Sequence, residues 1–376
     1  MPWNESSRMS LCREFVLLAR QPGANISALC RGFSISRKTG YKWLERPDGE
    51  DRSRRPLQSP WRTPATVEAA LLAARDRFPD WGARKLKRWL ENRGASGLPA
   101  VSTITAILHR HDRITPAASA AATPWQRFEH PTPNALWQMD FKGHVALRGG
   151  QRCHPLTVLD DHSRFNIVLR ACRGEACSDV KPALEDSFRR YGLPERISCD
   201  NGTPWGTMQR EDGLTALGAW LIRLGVRLSH ARPGHPQTNG KDERFHRTLH
   251  AGLLRDRILR DFDDAQRAFD GFRDLYNLER PHQAIGLAVP ATRYRRSERV
   301  FPEVLPPIDY DPAHPVRRVD ATGKISFRNR SHRIAKALVG ERVALVCDPD
   351  NDGCFTVVYC NQPVRIIDLR HHPVAD

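Results

Sequence analysis

The sequence predicts a multidomain α+β protein in which helical segments come first, an α/β segment follows and short strands end the chain. The length of 376 residues is enough for about two to four domains of ordinary size. Apolar residues near the N-terminus recur at spacings of three and four, whereas later stretches are runs of β-branched residues. Polar or proline-rich stretches at 46–63, at 115–124 and from Pro302 onward separate these segments.

The composition excludes several classes of protein. Hydrophobic residues make up 40% of the chain, so we expect folded cores. No apolar stretch approaches the roughly 18–20 residues of a membrane helix, and the N-terminus has no signal-peptide pattern, so we expect neither membrane insertion nor secretion. The nine cysteines include no CxxC pair, which argues against a zinc ribbon or a disulfide framework and fits a reducing compartment.

The charge balance favours a polyanionic partner. The chain has 59 Lys and Arg against 43 Asp and Glu, a formal net charge of +16, and its pI is about 9.9. Nucleic acid is the leading candidate, and an acidic membrane surface is the second. A charge that serves only solubility is the alternative, but residues 1–130 alone hold 22 basic and 12 acidic residues.

Residues 1–47 have the pattern of a helix-turn-helix domain. Helices are predicted over 10–20 and 27–32, and a third, capped by Ser36, runs to residue 45. The third helix is basic, as expected of a recognition helix that enters the DNA major groove. A three-helix bundle without a nucleic-acid ligand is the alternative. The candidate DNA contacts are Arg37, Lys38 and Lys42.

Residues 115–130 are predicted to be a linker. The residues before it, 48–114, have the pattern of a second helix-turn-helix domain of the winged-helix type. Its helices are predicted over 66–78 and 82–92, with a third capped by Ser102. The middle helix is strongly basic. Its candidate DNA contacts are Arg84, Lys85, Lys87 and Arg88.

Residues 131–298 alternate strands and helices, and 299–376 read as a small β domain. The order in the first of these segments, three strands, helix, strand and two helices, is the order expected of a ribonuclease-H-like α/β core. Six short strands between 316 and 369 predict an SH3-like β-barrel. The predicted core elements are strands at 137–145, 154–159, 164–169 and 196–200, and helices at 177–191, 214–224 and 242–254.

Three acidic residues of the middle segment lie where chemistry could use them. Asp140 lies within a strand, Asp200 ends another, and Glu243 lies in the first turn of a helix. Each alone is equally well explained as a structural acceptor or a helix-end charge. Together, oxygen ligands from separate elements suit Mg²⁺ or Mn²⁺, and two such ions about 4 Å apart can clamp a phosphoryl transfer. Asp242 is the rival of Glu243, but neighbouring helical residues point about 100° apart.

Several blocks of the sequence resemble insertion-sequence transposases with an integrase-type catalytic core, the DDE class related to retroviral integrases. The blocks are Trp-Gln-Met-Asp at 137–140, Asp-Asn-Gly at 200–202, His-Pro-Gln-Thr-Asn-Gly-Lys-Asp-Glu-Arg-Phe-His-Arg-Thr-Leu at 235–249, the stretch 276–291 and Trp-Gly-Ala-Arg-Lys-Leu at 81–86. The resemblance covers most of the chain, and the 235–249 block is its most specific part.

The resemblance implies that Asp140, Asp200 and Glu243 bind two Mg²⁺ (or Mn²⁺) ions, and it selects Glu243 over Asp242. The implied reaction is strand hydrolysis at element ends followed by joining to target DNA, with no covalent enzyme intermediate and no nucleotide cofactor. Arg244, Arg247 and His250 follow Glu243 and could hold scissile-strand phosphates; solvated helix charge is the alternative. There are 42 residues between Asp200 and Glu243, longer than the retroviral spacing, and we assign the excess to a loop at 206–213.

The resemblance also implies the partners and the location. These are double-stranded DNA (element ends and target), a homo-multimer on DNA, no membrane, and the bacterial cytoplasm at the nucleoid. Helix-turn-helix units replace the zinc module of retroviral integrases, so no structural zinc is expected. Two alternatives stay open: a non-catalytic, domesticated DNA-binding regulator, and a metal-dependent nuclease without strand transfer.

Overall fold

The computed structural model describes residues 8–46, 62–114, 129–200, 204–205, 214–230 and 240–370. The chain divides into two compact units, one ending at Thr63 and the other beginning at Pro64. Most of the predicted linkers at 46–63 and 115–130, the predicted loop at 206–213 and the first residues of the 235–249 block, His235 among them, lie outside the described residues. None of the helices in the described ranges combines the length and the apolar character that crossing a membrane requires.

The first unit contains the three helices that the sequence predicts. They are α1 (Arg8–Ala19), α2 (Ile26–Gly32) and α3 (Arg37–Leu44). The predicted cap is confirmed, because the Thr39 amide donates to Ser36 Oγ at 3.1 Å at the start of α3. Phe15, Cys30 and Trp43 form the centre of a small core.

A second group of three helices opens the larger unit: α4 (Ala65–Arg77), α5 (Ala83–Asn92) and α6 (Val101–Arg110). Its core is aromatic, since the rings of Phe78 and Trp81 stack with centroids 4.0 Å apart. The prediction that Ser102 caps the third helix is wrong. The helix begins at Val101 with Ala100 as its first cap residue, and the Ile104 amide donates to the Ala100 carbonyl, so Ser102 is already inside the helix.

The α/β segment predicted over 131–298 is a mixed sheet between two layers of helices. Its strands are β1 (Trp137–Phe141), β2 (Val145–Ala146), β3 (Arg152–Asp160), β4 (Asn166–Cys172), β5 (Arg196–Cys199) and β6 (Arg227–His230). The order is β4–β3–β1–β5–β6, with β2 paired to the beginning of β3. β3 is antiparallel to β1 and β4, whereas β5 is parallel to β1 and β6.

The core strands differ from the prediction in one division and one omission, besides shifts of up to three residues at the ends of other strands. The predicted strand 137–145 breaks before Gly143, whose φ of +86° leaves the extended region, and β2 then forms separately. The sequence analysis missed β6 altogether. Its sequence, Arg-Leu-Ser-His, has a single apolar residue, and its strand character comes from parallel pairing with β5, which is not a local property.

Helices cover both faces of this sheet. α7 (Cys177–Tyr191) and α8 (Ala216–Arg223) share a core with Trp137 and Met139, whereas α9 (Gly240–Leu249) and α10 (Phe262–Asp274) share a core with Leu159 and Leu169. The sequence predicted one helix over 242–254. The structure instead ends α9 at Leu249 and continues with a π-helical turn over His250–Leu254.

The C-terminal region contains all six predicted strands, within two residues of their predicted bounds at nearly every end. They are β7 (Val316–Arg318), β8 (Lys324–Phe327), β9 (Arg330–Arg333), β10 (Arg342–Cys347), β11 (Cys354–Tyr359) and β12 (Gln362–Asp368). The expected closed barrel is not confirmed. Among residues 316–368 the pairings give one four-stranded sheet, β12–β11–β10–β7, and a separate β8–β9 hairpin. Ala219 and Ile222 of α8 join this core, so a helix covers apolar surface that closure would otherwise bury.

Substitution of Gly40 tests how closely α3 packs against the core of the first unit. A Cβ at this position would lie 2.5 Å from Cys30 Sγ and 2.9 Å from Phe15 Cζ, both in the buried core. We expect Gly40→Ala to destabilise α3 by about 1–3 kcal/mol because the core must shift to accept the methyl group. Hydrogen exchange of the α3 amides in the 376-residue chain, read by mass spectrometry, measures this as about a fivefold to hundredfold loss of protection.

Gly32 is the matched control for that substitution. It ends α2, and a Cβ there would meet nothing within 4 Å, so Gly32→Ala leaves the protection of α3 unchanged or slightly higher. Equal protection in the two variants would contradict the packing that we describe around Gly40.

Candidate active site

Two of the predicted catalytic acids lie side by side at the ends of neighbouring parallel strands. In the β1–β5 pairing, Trp137 faces Ile197 and Gln138 faces Ser198. Continuing this register by two residues sets Asp140 opposite Asp200. Because side chains alternate along a strand, both point to the face opposite the Trp137 and Ile197 core, which is the face that α9 covers.

Asp140 shows that the three acids influence one another. Its side chain is half-buried, and Oδ1 accepts a hydrogen bond from the Phe141 amide at 2.8 Å. Desolvation and, after it, the negative charge of Asp200 raise the pKa of Asp140 to about 7; the charges of Glu175 and Glu243 act in the same direction, and the hydrogen bond from Phe141 opposes them. The structure therefore brings Asp140, Asp200 and Glu243 into one electrostatic neighbourhood.

The two adjacent acids of α9 have different environments. Glu243 is exposed in the first turn of the helix, whereas Asp242 is fully buried. Thr157 Oγ1 donates to the Asp140 carbonyl at 3.0 Å and lies 3.4 Å from Asp242 Oδ1, while Asp242 Oδ2 has no hydrogen-bond partner among the described residues. Burial, then repulsion from Asp140, raises the pKa of Asp242 well above its usual range.

His246 completes a buried polar cluster beneath Asp140. Its Nε2 lies 2.9 Å from Thr157 Oγ1, and burial followed by the charge of Lys142 lowers the pKa of His246 to about 4, so the imidazole is neutral at pH 7. The sequence analysis assigned no role to Thr157 or His246. The available signal was the four-residue spacing of Asp242 and His246, which places both on one helix face.

A buried ion pair anchors the start of α9. Lys241 Nζ donates to Asp161 Oδ1, which also accepts from Gln138 Nε2 at 2.9 Å, and Asp161 Oδ2 accepts from the His130 amide at 2.8 Å. Asp161 is 1% exposed. The sequence analysis interpreted residues 160–163 as a hairpin turn only. The structure shows that this turn also ties the helix of Glu243 to β1.

The carboxylates of Asp140, Asp200 and Glu243 supply the oxygen donors that divalent cations such as Mg²⁺ prefer. Asp140, Asp200 and Glu243 repel one another, and a cation between them would relieve the repulsion that raises the Asp140 pKa. Within the described residues, no three His, Cys, Asp or Glu side chains lie close enough together to enclose an ion. The segments directly after Asp200 and before Gly240 lie outside the described residues.

The predicted DNA contacts lie in three places. Every predicted contact on α3, on α9 and in the turn that follows α9 is exposed. Among the predicted contacts on α5, only Arg84 and Arg88 are exposed. Arg88 also pairs with Glu91 at 3.6 Å. Lys87 is half-buried, and Lys85 differs most, because it is half-buried against the core, where burial lowers its pKa to about 7. The exposed set is Arg37, Lys38, Lys42, Arg84, Arg88, Arg244, Arg247 and His250.

Comparison with known families gives matches for four stretches of the chain. Residues 130–236 and 224–290 match the integrase core domain, 314–375 match the C-terminal domain of the IS481 family transposases, and 39–108 match a homeodomain-like domain.

Individual relatives are insertion-element and retroviral proteins. The chain is 28% identical over 159 residues, 42% of its length, to the insertion element IS407 uncharacterized 31.7 kDa protein of Burkholderia multivorans and to the IS476 uncharacterized 39.2 kDa protein of Xanthomonas euvesicatoria. The match covers 54% and 44% of these relatives, so the chain spans about half their length. It is 32% identical over 121 residues, 32% of the chain, to the Gag-Pro-Pol polyprotein of mouse mammary tumor virus, of which it covers 6%.

Similar solved structures include retroviral integrases. The HTLV-2 integrase catalytic core in complex with magnesium covers 44% of this chain and 99% of its own, at 16% identity and a TM-score of 0.34. The simian T-cell lymphotropic virus intasome covers 80% and 96%, at 15% identity and a TM-score of 0.40. From its domain matches and relatives, this chain contains an integrase core domain followed by an IS481-type transposase C-terminal domain, and it is similar in sequence to insertion-element proteins and, over 121 residues, to a retroviral polyprotein.

Proposed function

We propose that the protein is a DNA transposase, a metal-dependent polynucleotidyl transferase that cleaves strand ends of its own mobile element and joins them to target DNA. The observation that carries the proposal is the placement of Asp140 and Asp200 on adjacent parallel strands, within electrostatic reach of Glu243 on α9. The matches to the integrase core and to the transposase C-terminal domain support the same reaction class.

The acids act as anionic ligands in this proposal. Asp140, Asp200 and Glu243 would hold two Mg²⁺ (or Mn²⁺) ions, which supply an activated oxygen nucleophile and neutralise charge on the leaving oxygen. The strands β1 and β5 fix the first two carboxylates. The Lys241–Asp161 pair and the Asp242–Thr157–His246 cluster fix the phase of α9, so that Glu243 faces outward.

The reaction consists of two phosphoryl transfers. In the first, the oxygen of a water molecule bonds to the scissile phosphorus, the bond to the 3′-oxygen breaks, and a free 3′-hydroxyl remains at the element end. In the second, that hydroxyl bonds to a target phosphorus and the target's own 3′-oxygen leaves. The sum of phosphodiester bonds is unchanged in the second step, so no nucleotide cofactor is needed.

DNA binding would come mainly from the basic helices outside the core. Exposed Arg37, Lys38 and Lys42 lie on α3, which occupies the position of a recognition helix, and α5 adds a second basic helix. The two ends of an element must be joined together, so a homo-multimer on bacterial DNA is part of the proposal. A nuclease without joining is separated from a transposase by the assay below.

Substitution of the proposed ligands tests the site. We expect Asp140→Asn, Asp200→Asn and Glu243→Gln each to reduce Mg²⁺-dependent cleavage of the element's own end sequences by about a thousandfold or more, because each removes an anionic metal ligand. DNA affinity changes little, since it is spread over remote cations. The measurement is a cleavage-and-joining assay with a parallel binding assay. Cleavage without joining in the wild type would instead indicate a nuclease.

Asp242 is the matched control for Glu243. We expect Asp242→Asn to keep cleavage within about tenfold of the wild type, because its side chain faces Thr157 and not the outer face. Near-complete loss of cleavage in Asp242→Asn, with Glu243→Gln active, would reverse the assignment of the two acids.

Asp242→Asn is also expected to change how the free energy of unfolding depends on pH. The folded wild type retains a proton that the unfolded chain releases above pH ~4, so its stability falls as pH rises toward the raised pKa of Asp242. Asparagine has no such loss. The stability of the variant relative to the wild type therefore increases with pH, by up to about 1.4 kcal/mol per pH unit, in urea unfolding followed between pH 5 and about pH 8.

Arg247 tests the outer face of α9. It lies one turn beyond Glu243 and is exposed, so its guanidinium can position a phosphate beside the acids. We expect Arg247→Ala to slow strand joining about tenfold or more at matched DNA occupancy, with little change in whole-protein affinity. Arg255 is the control, because it follows the π-helical turn and pairs with Asp256 at 3.0 Å. Equal joining rates in Arg247→Ala and Arg255→Ala would exclude this role.

A further inference from the structure

A cluster of cations lies where α5 packs against the end of the core. Burial, together with the positive charges of Arg280 and Arg244, lowers the pKa of Lys85 to about 7, while the negative charge of Asp80 opposes the shift. Asp80 already pairs with Arg280, a 7% exposed side chain, at 3.4 Å. Among the described residues Lys85 forms no ion pair, so the cluster has more cations than anions.

His282 belongs to the same cluster, and its neutral ring does nothing to balance the positive charges. It is 9% exposed, burial and the neighbouring cations lower its pKa well below the usual range, and its Nε2 has no hydrogen-bond partner among the described residues. The charged and titratable groups around Lys85 are therefore Arg280, Arg244, Asp80 and the neutral His282. The second helical group and the core both contribute to this excess of positive charge.

Beside Lys85 is a cleft of about 400 Å³ that is open to solvent. Hydrogen-bond donors line it from two elements, Arg84 and Lys85 from α5 and Gln283 from the core. Thr105 of α6 also lines the cleft, but its hydroxyl already donates to the Val101 carbonyl at 2.9 Å. The first residue before α5 is Gly82, so no side chain caps the first amides of this helix. The cleft thus combines unpaired positive charge with donors and an uncapped helix start, which together suit a phosphate group.

We propose that this cleft binds a phosphodiester group of the DNA backbone and so connects the second helical group to the catalytic core along one DNA strand. The inference rests on the proposed function, because it takes DNA as the ligand. Arg244 directly follows Glu243 and is close enough to Lys85 to influence it, so a backbone held in the cleft lies on the side of the core that carries the catalytic helix.

Phosphate binding here is coupled to protonation of Lys85. Only the charged ammonium form of Lys85 binds an anion. Near pH 7, Lys85 is deprotonated in about half of the free protein molecules. Binding of DNA is therefore linked to the uptake of a proton from solvent by the Lys85 amine, and affinity falls as pH rises from about 6 to about 8. Arginine keeps its charge throughout this range, so Lys85→Arg retains affinity but lacks this pH dependence.

The experiment measures binding of a fluorescein-labelled DNA duplex of arbitrary sequence, about three helical turns long, to the 376-residue protein at low salt. We expect Lys85→Met to bind about threefold to tenfold more weakly at pH 6.5, with a salt slope lower by about one and a flatter pH profile. Lys85→Arg restores affinity and salt slope. Lys87→Met, on the same helix, keeps the wild-type pH profile.

Chemical labelling of lysines provides the second arm and identifies the anion. Acetic anhydride modifies Lys85 readily because its pKa is low, and mass spectrometry follows the rate, with Lys87 as internal reference. We expect duplex DNA to slow labelling of Lys85 more than of Lys87. Protection by inorganic phosphate but not by DNA would assign the cleft to a free anion and overturn the proposal.

The outcomes separate this inference from the proposed function. A wild-type protein with no DNA affinity at low salt contradicts the transposase itself. Wild-type binding together with an unchanged affinity, salt slope and pH profile in Lys85→Met leaves the transposase standing and overturns the cleft.

Discussion

The parallel pairing of β1 with β5 is the contact on which the rest of the structure depends. It sets two carboxylates, Asp140 and Asp200, next to each other on one face of the sheet. Desolvation and, after it, the repulsion between these two charges raise the pKa of Asp140, so holding both as carboxylates costs free energy. The surrounding structure must therefore be stable without the site, and fully buried side chains such as Trp137 and Phe188 on the opposite face supply that stability.

The third acid needs a different kind of control, because it comes from a helix and not from the sheet. Rotation of α9 by one residue would exchange Asp242 for Glu243. Three contacts fix the rotation: Lys241 with Asp161, Asp242 with Thr157, and His246 with the same hydroxyl. The burial of Asp242 is unfavourable in itself, since its pKa is raised by desolvation. The structure tolerates this cost because the buried Asp242 fixes the rotation of α9 about its axis, and that rotation exposes Glu243.

The sequence alone predicted most of the elements in order and placed Asp140, Asp200 and Glu243 on their elements, but it did not predict the contacts that hold those elements in position. Local patterns predicted the three helices of the first unit and the Ser36 cap, because caps and apolar spacing are properties of neighbouring residues. β6 was missed because its pairing partner is about 30 residues away. The roles of Thr157 and Asp161 depend on contacts 80 or more residues apart in the chain, which no spacing rule reports. The barrel was overpredicted because α8 covers the apolar surface that a closed sheet would bury.

The distribution of charge follows from the same arrangement. A site made of carboxylates repels the phosphates on which it is proposed to act, so a chain with this core must attract DNA elsewhere. The net charge of +16 is placed accordingly, on helices that precede the core and on the side of α9 beyond Glu243. Lys85 lies where these two regions meet, since it belongs to α5 but is influenced by Arg244 of α9. DNA affinity thus comes from many dispersed cations, whereas the proposed chemistry comes from three acids, so the two can be changed separately. Lys85 lies between the two sets of residues, where the bound DNA must be aligned with the acids.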